Sequence, residues 1–210
     1  MPGVDPTTKR QINEQPVAAA DSPELWDLLD LNGHPTGRTA QRAEGGADPQ
    51  SLLRPGDWHR VVQVCAFNSR GHMLIQLRAA GKVDWPNAWD LTAGGSVLAG
   101  ETSQAGARRE LLEELGVDHD FSHSRPDAVI SFPQGFFDVY TIDLDDNLTG
   151  LTLQPEEVRA VRWASLSEIQ AMMANQIFCG LPQGLVELIF ALHAEPNYLW
   201  SPTPGRTSAD

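Results

Sequence analysis

Three glutamates, Glu110, Glu113 and Glu114, stand at i, i+3 and i+4 within the run from Gly95 to Val117. On a helix they share one face. Like charges at that spacing repel and cost helix stability, so the cluster calls for a partner cation. Carboxylate oxygens suit a hard ion such as Mg²⁺ or Mn²⁺. The residues around them suit the same purpose. Gly94 and Gly95 give a backbone that can approach a ligand or metal with its carbonyls free. Glu101 lies at the mouth of the expected helix, and Arg109, four residues before Glu113, can hold that carboxylate by an ion pair. The chemistry this set suits is metal-assisted cleavage of a diphosphate. The metal neutralises charge on phosphate oxygens and makes a bound water a usable nucleophile, and a further carboxylate takes the proton.

The glutamates need a helix with defined ends. Thr102 or Ser103 can cap its start, and Gly116 is placed as the left-handed residue that ends it, so a helix is expected over Ser103–Leu115. With the glutamates turned to the site, Ala105, Leu112 and Leu115 are expected to pack against a sheet, with Leu111 and Val117 adding contacts. Gly106 inside the helix costs about 1 kcal/mol against Ala unless it admits a close neighbour. Strands are expected at Glu24–Asn32, running into a turn, at Arg60–Phe67 and His72–Arg78, which make a hairpin, and at Leu91–Leu98. Further strands are expected at Ala128–Phe132, Phe136–Leu144 and Val158–Trp163, and helices at Leu166–Ala174 and Leu185–His193. Thr36–Asp57 and Gly81–Asp90 read as connections. Strands and helices mix without regular βαβ alternation, which indicates an α+β fold with a mixed sheet.

Composition bounds the rest. The 210 residues are 41% apolar and 20% charged, the profile of an ordinary soluble protein with one sizeable domain. Residues 1–23 and 199–210 read as tails around a domain at 24–198. The net charge of −13 lacks the basic footprint of a protein that tracks a nucleic-acid backbone. The apolar runs are too short to span a bilayer, so no membrane partner is expected. The two cysteines, Cys65 and Cys179, are too few for a disulfide framework, and a cytoplasmic setting is the simplest reading.

The pattern Gly-x5-Glu-x7-Arg-Glu-U-x-Glu-Glu-x-Gly-U, with U aliphatic, resembles the Nudix box. Gly95, Glu101, Arg109, Glu110, Leu111, Glu113, Glu114, Gly116 and Val117 fill every position. A chance match over a chain of this length is on the order of 10⁻⁷ at average residue usage. The resemblance implies a Nudix α/β/α sandwich with a central mixed sheet over roughly residues 24–195, and hydrolysis with Mg²⁺ or Mn²⁺. It implies Glu113 and Glu114 as main metal ligands, Glu110 as ligand or base, the Gly94 carbonyl as a further ligand, Glu101 as a secondary one and Arg109 as an orienting residue. Glu157, and less so Glu156, falls where many of these hydrolases add a glutamate to the metal site or use one as base. A homodimer is a reasonable family expectation.

The flanks resemble the isopentenyl-diphosphate-isomerase-like branch, through Glu24-Leu-Trp-Asp, Gly33, Gly37-Arg38, His59, Arg78, Lys82, Trp85-Pro86 and Trp89. In that isomerase the positions of Arg78 and Lys82 hold the substrate diphosphate. Trp85 and Trp89 can stack on a base or cover an apolar tail, or pack in the core. Gly94 stands where the isomerase has its acid/base cysteine, Ser96 where it has a metal histidine, and Phe136 and Asp138 near its later glutamates. His59 matches its other histidine, or has a structural role. Without the cysteine, hydrolysis of a nucleoside-diphosphate-linked or similar small diphosphate is expected. The alternatives are an isomerase and a non-catalytic sensor of a phosphorylated metabolite.

Overall fold

The computed structural model describes residues 24–41, 53 and 55–195. The two expected tails and the middle of the Thr36–Asp57 connection lie outside them. The order is β1 (Leu25–Leu29), β2 (Pro35–Gln41), β3 (His59–Phe67), β4 (Met73–Arg78), β5 (Trp89–Asp90), β6 (Ala93–Ser96), α1 (Ser103–Leu115), β7 (Ala128–Phe132), β8 (Gly135–Asp143), a 3₁₀ turn (Leu148–Gly150), β9 (Val158–Ala164), α2 (Leu166–Ala174) and α3 (Gln183–Ala194). A seven-stranded mixed sheet lies between α1 on one face and α2 and α3 on the other. The expected α+β sandwich is therefore the fold.

Strand periodicity builds the two cores. Along β3, Val62, Val64 and Ala66 face α1 with Leu74, Leu111, Leu115 and Tyr140. Cys65 and Phe67 face the other way, with Met73, Ile75, Ile169, Val186 and Ile189. All of these are buried, and alternation by residue number assigns each to its face. The same parity turns Gln76 and Asp138 toward the α1 side.

Two expectations need correction. Part of the Thr36–Asp57 connection is strand β2, antiparallel to β1. Its side chains are almost all exposed, so no apolar alternation marks it. The β3–β4 hairpin holds at one registered pair, Phe67 with Met73, and then splays. Beyond that pair β3 takes β6 and a parallel partner, β8, while β4 takes β5 and β9. Thr92 fills the gap: its buried hydroxyl donates to the Leu74 carbonyl at 2.6 Å and accepts from the Ala66 N–H at 2.8 Å. This satisfies two backbone groups that the broken ladder leaves inside the protein. The splay carries β6, with its glycines, under α1.

Candidate active site

Helix α1 has the expected ends. The Thr102 hydroxyl accepts from the Ala105 N–H, and Gly116 sits at φ 70° with its N–H on the last carbonyls. Its packing face differs from expectation. Gly106, Ala107, Leu111, Glu114 and Leu115 are buried, whereas Ala105 and Leu112 are exposed. The buried stripe is rotated, so Glu114 belongs to the core-facing surface and Glu110 to its rim. Gly106 admits a close neighbour: a Cβ there would stand 3.2 Å from the Val97 side chain.

The glutamates face a cleft of about 560 Å³ that reaches from Glu24, Trp26 and His59 to Arg78, Lys82, Trp85 and Glu157. Gly94, Gly95, Arg109, Glu110, Glu113 and Glu114 line its middle. Both glycines leave room that a side chain would take, Gly94 against backbone and Gly95 against the Glu110 carboxylate. A Cβ on Gly95 would lie 2.4 Å from Glu110 Oε1, and one on Gly94 would lie 2.5 Å from the Val62 carbonyl oxygen.

Arg109 is the hub. It donates to both Glu101 oxygens at 2.9 and 3.1 Å, to Glu110 at 2.8 Å, to Glu113 at 3.2 Å and to the Ser96 carbonyl at 2.9 Å. Burial works against its charge, but Glu101 and Glu110 outweigh that and make the guanidinium harder to deprotonate. Glu101 also accepts from the Leu98 N–H. It is absent from the cleft lining and acts here as the clamp of Arg109, a placement that differs from the expected secondary metal ligand.

Glu114 is only 6% exposed and accepts a hydrogen bond from the buried Gln76 carboxamide at 2.9 Å. Burial, then the charge of Glu110, holds its carboxyl well above the usual range, against the Gln76 bond. Burial pushes Glu110 up to about 7 even though Arg109 favours its charged form. Sequence reasoning missed Gln76. Its signal is the lone amide in Met-Leu-Ile-Gln-Leu-Arg, on the same strand face as Leu74.

At the cationic end Arg78 pairs with Asp90 at 3.1 Å and donates twice to the Asp84 carbonyl, at 3.1 and 2.9 Å. Lys82 pairs with Glu157. Arg78, Lys82 and Glu157 thus come together at one end of the cleft. Trp89 does not join them. Its ring packs with the core of the opposite face, under the Arg162 guanidinium at 5.2 Å; Trp85 lines the cleft instead. His59 closes the far end, stacked on Trp26 at 4.7 Å with its Nδ1 bonded to the Gln134 carbonyl at 3.0 Å. Burial lowers its pKa, against the Gln134 bond, and so favours the neutral ring. Asp138 lies off the lining, buried against Arg60 and the Ser103 hydroxyl, which donates at 2.6 Å.

Could this donor set hold a metal? Among the described residues no three histidine, cysteine or carboxylate side chains are grouped as a closed metal shell. Arg109 occupies Glu110 and Glu113, and Gln76 one oxygen of Glu114. Two largely buried carboxylates resisting ionisation beside a third are nevertheless the environment a hard divalent cation relieves, and all the donors are oxygen.

The family model of the NUDIX domain matches residues 57–184. The chain belongs to the Nudix hydrolase family. An uncharacterised Nudix hydrolase of Listeria monocytogenes is 43% identical over 169 residues, 80% of this chain and 95% of its own. An isopentenyl-diphosphate Delta-isomerase of Streptomyces coelicolor is 30% identical over 161 residues, 73% of this chain and 77% of its own. The solved Deinococcus radiodurans protein DR0079 superposes with a TM-score of 0.63 at 29% identity, covering 79% of this chain and 99% of its own. The Nudix fold is shared as well by a bifunctional NMN adenylyltransferase/ADP ribose pyrophosphatase from Francisella tularensis, solved with AMP and Mn (18% identity, TM-score 0.52, 68% of this chain and 42% of its own). Nudix enzymes hydrolyse diphosphate-containing substrates and generally use divalent metal ions.

Proposed function

We propose that this Nudix hydrolase cleaves the phosphoanhydride of a nucleoside-diphosphate-linked or similar small diphosphate by water attack at phosphorus, with Mg²⁺ or Mn²⁺ bound. The observation that carries the reading is one cleft that holds half-buried Glu110 and buried Glu114 at its middle and Arg78 and Lys82 at one end. Glu110, Glu113, Glu114 and the Gly94 carbonyl would hold the ion, which supplies charge neutralisation at phosphate oxygens and a more acidic bound water. Arg78, fixed by Asp90, presents its remaining N–H donors to phosphate oxygens. Lys82 adds a point charge once the diphosphate competes for it with Glu157. The attacking water gives its proton to a cleft carboxylate, Glu110 or Glu157. Arg109 keeps Glu110 and Glu113 apart and in register.

The test is turnover of a diphosphate library with Mg²⁺ or Mn²⁺, read as release of phosphate, pyrophosphate or mononucleotide. Glu114→Gln should lower kcat by roughly 10²–10⁴ without loss of thermal stability. Unchanged turnover of a confirmed substrate in that variant sinks the role of Glu114.

The isomerase name of the Streptomyces relative makes isomerisation the second reading. Gly94 counts against it, because the position of the acid/base cysteine has no room for a side chain unless β6 moves. Formation of an allylic product from isopentenyl diphosphate would decide for isomerisation.

A further inference from the structure

We infer that Trp85 is the platform on which the planar ring of a ring-bearing diphosphate rests, and so the specificity-determining residue at the cationic end of the cleft. The inference rests on the diphosphate reading above. Trp85 lines the cleft with 53% of its surface exposed. Leaving an indole in water forgoes the burial that usually stabilises it. Its backbone is also unusual: φ is 52° at Trp85 and 58° at Asn87, on either side of Pro86. Bulky residues at positive φ are strained, and the conformation persists only where neighbours enforce it.

Those neighbours are present. The Ala88 N–H donates to the Trp85 carbonyl at 3.2 Å, and Arg159 donates to Asn87 Oδ1 at 3.0 Å. The two bonds from Arg78 grip the Asp84 carbonyl, one residue before Trp85. The indole itself is seated on Gly180, where a Cβ would come within 2.5 Å of its Cζ2 atom. One edge of the ring is thus held against backbone while over half of the residue stays open. Because Arg78 also faces the cleft, the offset between the anion site and the ring is set by this one loop.

The surroundings select the occupant. Arg78, Lys82, Asp84, Gln154 and Glu157 share the cleft lining with Trp85. A prenyl chain gains from enclosure in an apolar slot, which an open ring among charges does not offer. A flat heterocycle stacks on one face and keeps its polar edge in water. The ligand class is therefore a diphosphate carrying a nucleobase-like ring.

The test compares two non-hydrolysable probes with Mg²⁺ by calorimetry on the full chain: α,β-methylene-ADP, which has a ring, and methylene diphosphonate, which has none. Trp85→Ala should weaken the first about tenfold and leave the second unchanged. Trp85→Phe should retain most of the affinity. Gly180→Ala, which displaces the indole without touching the glutamates, should reproduce the loss. Equal weakening of both probes, or no change in either, overturns the inference, as does a dependence on Trp85 that appears with a prenyl diphosphonate instead. The readout is binding, so failure of the hydrolase reading, with no turnover of any diphosphate, is separable from failure of the platform.

Discussion

Gln76 and Glu114 meet between β4 and α1, where an amide N–H donates to a carboxylate that is almost wholly buried. A buried acceptor that loses its donor costs about 1–3 kcal/mol. Gln76→Met keeps the volume and removes that donor. Glu114 is then free to turn, so the Mg²⁺ concentration for half-maximal activity should rise and kcat fall about tenfold, with KM moving less. Steady-state kinetics across a Mg²⁺ titration, beside a melting curve, checks this. A loss of stability with an unchanged Mg²⁺ requirement would leave Gln76 a mere packing residue. At this scale the sequence was generous with the box and silent on its supports. Glu110, Glu113, Glu114 and Arg109 announce themselves by type and spacing. Gln76 and Asp90 act through partners 38 and 12 residues away, a distance that no local pattern encodes.

Among the elements, α1 shows what local signals can and cannot say. Its ends were legible because capping is a contact between near neighbours: Thr102 to Ala105, and Gly116 to the last turn. Its buried face was not, because that depends on where the sheet lies. Placing the glutamates opposite the core put Ala105 and Leu112 inward, whereas the protein buries Ala107, Leu111 and Glu114. Strand β2 escaped for a related reason, being a polar ribbon that pairs with β1 and has little to bury. The caps predict a separation of stability from activity. Thr102→Ala should cost about 1 kcal/mol. Gly116→Ala should cost more, since φ is 70° and its Cβ would press within 2.9 Å of Thr152. Denaturant midpoints measure both. Leu111 and Leu115 still anchor the glutamate-bearing turns in Thr102→Ala, so its kcat should stay near wild type; a large fall would mean that the cap, not the core, fixes the glutamates.

For the molecule as a whole, the proposed metal role makes pH and metal linked variables through those carboxylates. Glu110 rises from the ordinary 4.5 to about 7 on folding, and Glu114 moves the same way. The folded state thus holds protons that the unfolded chain releases, so this contribution is full below about pH 4.5 and is lost as pH climbs through about 7. For Glu110 alone the loss is on the order of 3 kcal/mol. His59, lowered by burial from 6.5, has the opposite sign and costs stability as pH falls below that value. With a chelator present, the melting temperature should fall from pH 5 toward pH 7.5, because the stability lost at the two carboxylates exceeds that regained at the one histidine; with Mg²⁺ the decline should flatten. Parallel thermal scans decide it, and identical slopes with and without Mg²⁺ would remove the ion from this site. The order of the sheet was the least legible feature. Strand parity can be read from Val62, Cys65 and Leu74, but nothing local brings His59 beside Gly135.

The splayed hairpin bridged by Thr92 has a consequence for how such a catalyst diversifies. It divides the cleft into two panels joined at a seam. One panel, β3, β6 and α1, holds the box, and the other, β4, β5 and β9, carries Arg78 at the end of β4 and leads into the loops that hold Lys82, Trp85 and Glu157. Thr92 and the Gln76–Glu114 bond are stitches across that seam. On the proposed function, mutations on the second panel would alter which molecule is gripped while the first goes on breaking the same bond, leaving reaction and recognition free to evolve at different speeds within one sheet.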